Sequence, residues 1–200
     1  MTGRFTGWPE TAFEVLLQLD GEPTMQFRQG LRSQREQLIR APMIALFNDI
    51  ADRDPAYEDF AVWGYGKTTW WWQHQVGIVR LPGRHELSMR FDLDGLELSG
   101  GLAYHELARF RAAVADDATG KELEGILEDL RARGFSVSGD MLKRGPRGYP
   151  ADHPRAGLLR HRTLRARRQL LDEHGPEVLE LALQTFGELR PFMAWLAANA

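Results

Sequence analysis

The segment HELSMRFDLDGLELSGGLAY, residues 85–104, alternates apolar and polar side chains over most of its length. Leu87, Met89, Phe91 and Leu93 share one parity against Glu86, Ser88, Arg90 and Asp92, and Leu96, Leu98, Leu102 and Tyr104 continue the pattern. A period of two puts successive side chains on opposite faces of an extended chain, so this segment reads as two strands with one buried face. Asp94-Gly95 between them is a pair that tolerates positive φ at both central positions of a hairpin turn. With TWWWQHQVGIVRL upstream, joined through Pro82-Gly83, an antiparallel meander of at least three strands is expected, one face on helices and the other open to water or a ligand.

On either side the period returns to about 3.6 residues. Pro9 suits the first turn of a helix running to about Leu19, and a second helix opens near Thr24, carries Phe27, Leu31 and Leu38, and is interrupted or kinked at Pro42 before Ile44, Phe47 and Ile50. After the sheet, helices are expected from His105 to Ala115 and from Gly120 to Arg133. Thr119 and Glu122 stand at capping-box spacing for the latter, and Gly134 at its stop. FSVSG reads as a short strand, KRGPRGYPADHP as an ordered loop, and TLRARRQL as strand or helix. A last helix runs from Pro176 to about Ala197, bent at Pro191. The fold class is therefore α/β of the α+β type, an antiparallel meander packed by helices in a single domain over residues 1–200: helical over 1–52, meander over 58–104, and mostly helical over 105–200 with a basic loop at 142–154.

The content of 43% hydrophobic and 26% charged residues is that of a soluble globular protein. No apolar run approaches the length of a membrane span and the N-terminus lacks a secretory signal, so a cytoplasmic protein without membrane contact is expected. Absence of cysteine removes disulfides, thiolate nucleophiles and sulfur-based zinc sites. No metal site and no cofactor is expected: HExxH, GxSxG, an aspartate-rich metal loop, GxxxxGK[ST] and GxGxxG after a strand are all missing. The formal charge of -3 is uneven, for residues 143–168 hold nine Lys/Arg against Asp152 alone. That asymmetry is either an anion-attracting field or a solvated face with arginine stems packed on apolar neighbours.

The stretch LKRGPRGYPADHPRAGLLRHR, residues 142–162, resembles a widespread bacterial and fungal family, number 2461 among the domains of unknown function. FTGW near the start, FRQGLRSQREQLIRAPM, GGLAY at 100–104, RFRAAVADDATG from Arg109 and AWL near the end extend the likeness. The resemblance implies an α/β fold and brings no established activity. Where the family carries WFxxHRxxYE, this chain keeps an aromatic at Phe27 together with Arg32 and Glu36, and has Leu31 and Arg35 in place of the His and Tyr. The family's RDxRFxxDKxPYK falls on FAVWGYGKTTWWW, residues 60–72, and is almost wholly replaced, with Thr68, Trp70, Trp71 and Trp72 in place of Lys, Pro, Tyr and Lys. His74 and Gln75 still match.

Alternation along WWWQHQVGI assigns Trp70, Trp72, His74, Val76 and Ile78 to a core face, and Trp71, Gln73 and Gln75 to the polar face that also carries Arg90. A flat aromatic among hydrogen-bonding groups holds a polar organic ligand, so Trp71, Trp72, Gln73, Gln75 and Arg90 are ligand-binding candidates. In the basic loop Lys143, Arg147 and Tyr149 join them, Arg147 offering bidentate geometry to a carboxylate or phosphate. His74 and His153 are the candidate acid–base groups; the alternative for each is a structural role. The function expected is binding, with or without cofactor-independent conversion of cyclase, isomerase or lyase type as in specialised metabolism, of an anionic or polar organic small molecule between the polar sheet face and the basic loop. Whether it is an enzyme and what its oligomeric state is stay open. The alternative is a non-catalytic interaction module that meets an acidic protein or nucleic acid through residues 143–168. Nucleic acid ranks below the small molecule, because the rest of the chain is acidic and no recognition motif occurs.

Overall fold

The computed structural model describes residues 4–82, 85–102, 107–170 and 173–200. The Pro82-Gly83 connection at its second residue, Tyr104 and the expected helix start at His105 lie outside them. The fold is α+β, with one open six-stranded antiparallel sheet in the order β1-β2-β3-β4-β6-β5. Its strands are β1 Phe60–Val62, β2 Gln75–Leu81, β3 His85–Asp92, β4 Gly95–Leu102, β5 Ser136–Ser138 and β6 Leu164–Leu170. The helices are α1 Glu10–Gln18, α2 Met25–Gly30, α3 Arg32–Arg35, α4 Ala41–Arg53, α5 Leu107–Ala115, α6 Asp117–Ala132, α7 Ala156–Leu159 and α8 Val178–Asn199. The chain divides into two compact units, Met1–Leu81 with Leu87–Leu98 and Gln169–Thr185, and Pro82–Glu86 with Ser99–Arg168 and Phe186–Ala200.

In the first unit the apolar positions of β3 are buried in strict alternation, as their pattern requires. Trp8 stacks on Phe91 at 4.4 Å and donates its indole N–H to the Ile39 carbonyl at 3.0 Å, so a large ring is buried with its one polar atom satisfied. Phe47 of α4 lies under β2 at Gly77, where an added Cβ would come within 2.2 Å of the ring. The hairpin turn falls one residue earlier than expected, on Leu93-Asp94: the Asp94 N–H caps the Asp92 carboxylate at 2.9 Å and Gly95 takes φ +93° as the first residue of β4. The break expected at Pro42 also moves. Residues Glu36–Arg40 form a π-helical turn, closed by the Ala41 N–H on the Glu36 carbonyl, and Pro42 sits in the first turn of α4. A proline cannot donate, and its ring crowds the carbonyl four residues back, which favours the wider turn just before it.

In the second unit Leu123, Leu127 and Leu130 form the buried stripe of α6, and Gly134 takes φ +86° behind its end. Its N-cap is Asp116, whose carboxylate accepts from the N–H groups of Ala118 and Thr119, and not Thr119, so the helix begins three residues before the expected capping box. TLRARRQL is a strand, β6, which pairs antiparallel with β5. Arg155, buried, donates to the Val114 carbonyl at 2.7 Å and approaches Asp117 and Glu124, which fixes α5 to α6. Gly77→Ala is expected to lower stability by ~1–3 kcal/mol through overpacking; urea unfolding should show part of that loss recovered in the Gly77→Ala/Phe47→Leu pair. An undiminished single variant would contradict the packing described.

Candidate ligand-binding site

Arg35 is 1% exposed, and the segment that carries the tryptophans is wound around its guanidinium. Nε donates to the Trp72 carbonyl at 2.9 Å, Nη1 to the Gln75 side-chain oxygen at 3.0 Å, and Nη2 to the carbonyls of Trp71, at 3.3 Å, and His74. Three backbone carbonyls within four residues can converge on one cation only if the chain curls, and Thr69–Trp72 accordingly forms a 3₁₀ turn. This overturns the strand alternation expected for Trp70 to His74: β2 starts at Gln75. Trp70, expected in the core, is 52% exposed, whereas Trp72 is buried. Gln75, expected on the polar face, is buried as well, its amide donating to the Trp63 carbonyl at 2.7 Å while its oxygen accepts from Arg35.

Trp72 is an inner wall of a cavity of about 880 Å³ in the first unit. Tyr65 stacks on it at 4.7 Å and 16°, and the Trp72 indole N–H is held by the Gly66 carbonyl at 3.1 Å. Opposite, Arg32, Glu36 and Arg40 line the cavity from α3 and the π turn, and Lys67 enters from the loop. Glu36 is fully committed: one oxygen accepts from the Tyr65 hydroxyl at 2.6 Å and the other from Arg40 at 2.6 Å. Arg40 also donates to the carbonyls of Trp63 and Val62, each at 3.2 Å. Burial pushes the Tyr65 phenol up to about 12, and the hydrogen bond to Glu36 acts in the same direction. Burial alone would raise Glu36, yet the hydrogen bonds from Tyr65 and Arg40 and the charges of Arg40 and Arg35 hold it below the ordinary range. Arg32 and Lys67, in contrast, make no hydrogen bond or ion pair among the described residues; Arg32 lies over the Tyr65 ring at 5.6 Å. Arg28, 6% exposed, lies 6.0 Å from the Trp72 ring with Nε and Nη1 unpartnered.

The remaining candidates of the first unit do not line this site. Trp71 packs on Gly66, Trp63 and Trp70, with the Trp70 ring 4.9 Å away. Gln73 donates to the Gly21 carbonyl at 2.9 Å, and Arg90 pairs with Asp92 at 2.7 Å. His74 is buried against Trp70, their centroids 4.1 Å apart. Burial and the charges of Arg90 and Arg35 lower its pKa to about 4, so it is neutral at pH 7.

In the second unit Lys143 and Tyr149 line a separate cavity of about 260 Å³. Arg147 is exposed and outside that lining. His153 accepts the Arg155 N–H on Nδ1 at 3.0 Å, a turn-closing role. Several arginines of the basic segment are engaged within their own unit: Arg162 with Asp140, Arg168 with Glu188, Arg165 with Ser99, and Arg167 with Ser138.

The site residues Arg32, Arg35, Glu36 and Arg40 escaped the reading of candidates, since helical positions usually carry surface charge. Their spacing of three and four residues on a helix with an apolar face was the available signal. Fold and site together define an α+β protein with a basic, aromatic-walled cavity. The model of the family described as Conserved hypothetical protein (DUF2461) matches residues 97–195, and over this span the chain is similar to that family. The smaller cavity lies inside the matched span and the larger one outside it. No curated protein and no solved structure matches the chain. No helix among the described residues is long and apolar enough to cross a membrane.

The His74 shift sets a pH dependence. The unfolded chain takes up the proton near pH 6.5 and the folded one only near 4, so stability is full above about 6.5 and is lost as the pH falls toward 4. His74→Phe should remove up to ~3 kcal/mol of this acid sensitivity. Urea midpoints of the two proteins across that pH range check it, and parallel curves would contradict the burial of a neutral imidazole.

Proposed function

We propose that the protein binds an anionic or polar organic small molecule in the larger cavity, with Arg32 and Lys67 as anchors and the Tyr65–Trp72 stack as the apolar wall. The supporting observation is that these two cations are uncommitted in a cavity whose other charged groups, Glu36 and Arg40, are already paired. Arg32, Arg40 and Lys67 outnumber Glu36 on the lining, so the cavity favours a negative ligand. Arg28, 6.0 Å from the Trp72 ring, adds a further positive charge whose Nε and Nη1 lack an acceptor. A guanidinium steadied on a ring face keeps its N–H edge free for a bidentate carboxylate or phosphate.

Conversion of the bound molecule, of cyclase, isomerase or lyase type, would not draw its proton transfer from His74, which is absent from the lining of this cavity. The interaction-module reading loses its support where arginines 162, 165, 167 and 168 are spent on internal partners.

Titration calorimetry against a panel of organic carboxylates and phosphate esters tests the proposal. At least one binder is expected, weakened ~10-fold or more by Arg32→Ala and by Lys67→Ala, the effect of removing one charge-assisted contact. Affinity should also fall with added salt. A binder indifferent to both substitutions would refute the assignment.

A further inference from the structure

The structure assigns a second, independent site to the loop between residues 142 and 160: a receptor for the phosphate group of a small ligand, built on Lys143, Arg144 and Arg160. These three cations line the cavity of about 260 Å³ together with Tyr149, Pro146 and Pro150, and among the described residues no carboxylate shares that lining. Neither Lys143 nor Arg144 has a hydrogen bond or ion pair among the described residues, unlike Arg155, Arg162 and Arg168, which close on acids. Like charges gathered without a counter-charge repel one another, and a bound anion relieves that cost.

The loop is held ready for such an anion. Its two ends are clamped by the Leu142 N–H on the Arg160 carbonyl and by Arg160 Nε on the Leu142 carbonyl, both at 2.8 Å, beside the Met141–His161 bridge. Because Nε makes the clamp, the terminal nitrogens of Arg160 are left over, on a guanidinium whose direction is already set. Pro146, Pro150 and Pro154 restrict the unbound loop, which lowers the entropy lost on binding. The cavity is smaller than the ~300–1,000 Å³ of sites that enclose drug-sized molecules, so it accepts a group and not a whole ligand of that size. Three cationic donors and the Tyr149 hydroxyl suit a tetrahedral dianion with three free oxygens better than a carboxylate with two.

Inorganic phosphate is the probe, titrated into the full chain by calorimetry and followed by thermal shift at constant ionic strength, with acetate and chloride as comparison anions. Saturable binding of phosphate, tighter than that of acetate, is expected. Lys143→Gln/Arg144→Gln should weaken it at least tenfold while leaving the ligand-free melting temperature unchanged, because both side chains are exposed. Arg160→Lys, which keeps the charge and loses the clamp, should weaken it less, and Arg32→Ala in the larger cavity should leave it unaltered. Absence of phosphate binding, equal stabilisation by chloride, or equal affinity in the double variant overturns the assignment. A loss on Arg32→Ala alone would place the phosphate in the larger cavity and also overturn it.

Discussion

A single buried guanidinium organises the first unit. Arg35 gives its hydrogen bonds to three backbone carbonyls and one amide oxygen, all drawn from residues 71–75. Removing a cation from water is costly, and a buried arginine persists only when acceptors replace its hydration. Here the acceptors come from the chain itself, so the shape of that segment follows from the position of the charge. Trp72 is turned inward to the cavity, Trp70 outward to solvent, and Gln75 is locked between Arg35 and Trp63 at the start of β2.

The same helix face supplies the rest of the site through the π turn at Glu36–Arg40. Its wider winding keeps Glu36 and Arg40 in contact with each other while both reach the loop, Glu36 to Tyr65 and Arg40 to the carbonyls of Val62 and Trp63. Charges that would otherwise face the cavity are thereby neutralised in pairs, and Arg32 and Lys67, without an ion pair among the described residues, stand apart. A buried polar atom without a partner costs ~1–3 kcal/mol, and Nε and Nη1 of Arg28 beside Trp72 are two such nitrogens.

Much of the architecture was legible in the sequence. The alternation of Leu87, Met89 and Phe91 specified β3 and its buried face, the leucine stripe of 123–130 specified α6, and Gly134 its end, because local periodicity and backbone sterics act within a few residues. Boundaries moved where a competing local device won: Asp116 over Thr119 as the cap, Leu93-Asp94 over Asp94-Gly95 as the turn, and a π turn ahead of Pro42 in place of a break at it. The candidate site was less legible. Alternation applied to the tryptophans gave Trp70 the wrong environment, since it assumed a ladder of strand partners and could not register a cation 36 to 39 residues upstream claiming the carbonyls of Trp71, Trp72 and His74.

The sequence by itself determined the α+β class, the strand and helix inventory of the central segments, and the basic, proline-bearing character of the loop at 142–154. Only the tertiary structure decided which charges are spent and which are free. Arg162, Arg165, Arg167 and Arg168 are bound by partners that no spacing rule identifies, while Lys143, Arg144, Arg32 and Lys67 have no such partner among the described residues. The physical reason is that pairing of charges depends on distance in space, and contacts between residues twenty or more positions apart are set by packing of whole elements. The run of three tryptophans shows both sides: its composition announced an aromatic wall, and the fold alone chose Trp72 to be it.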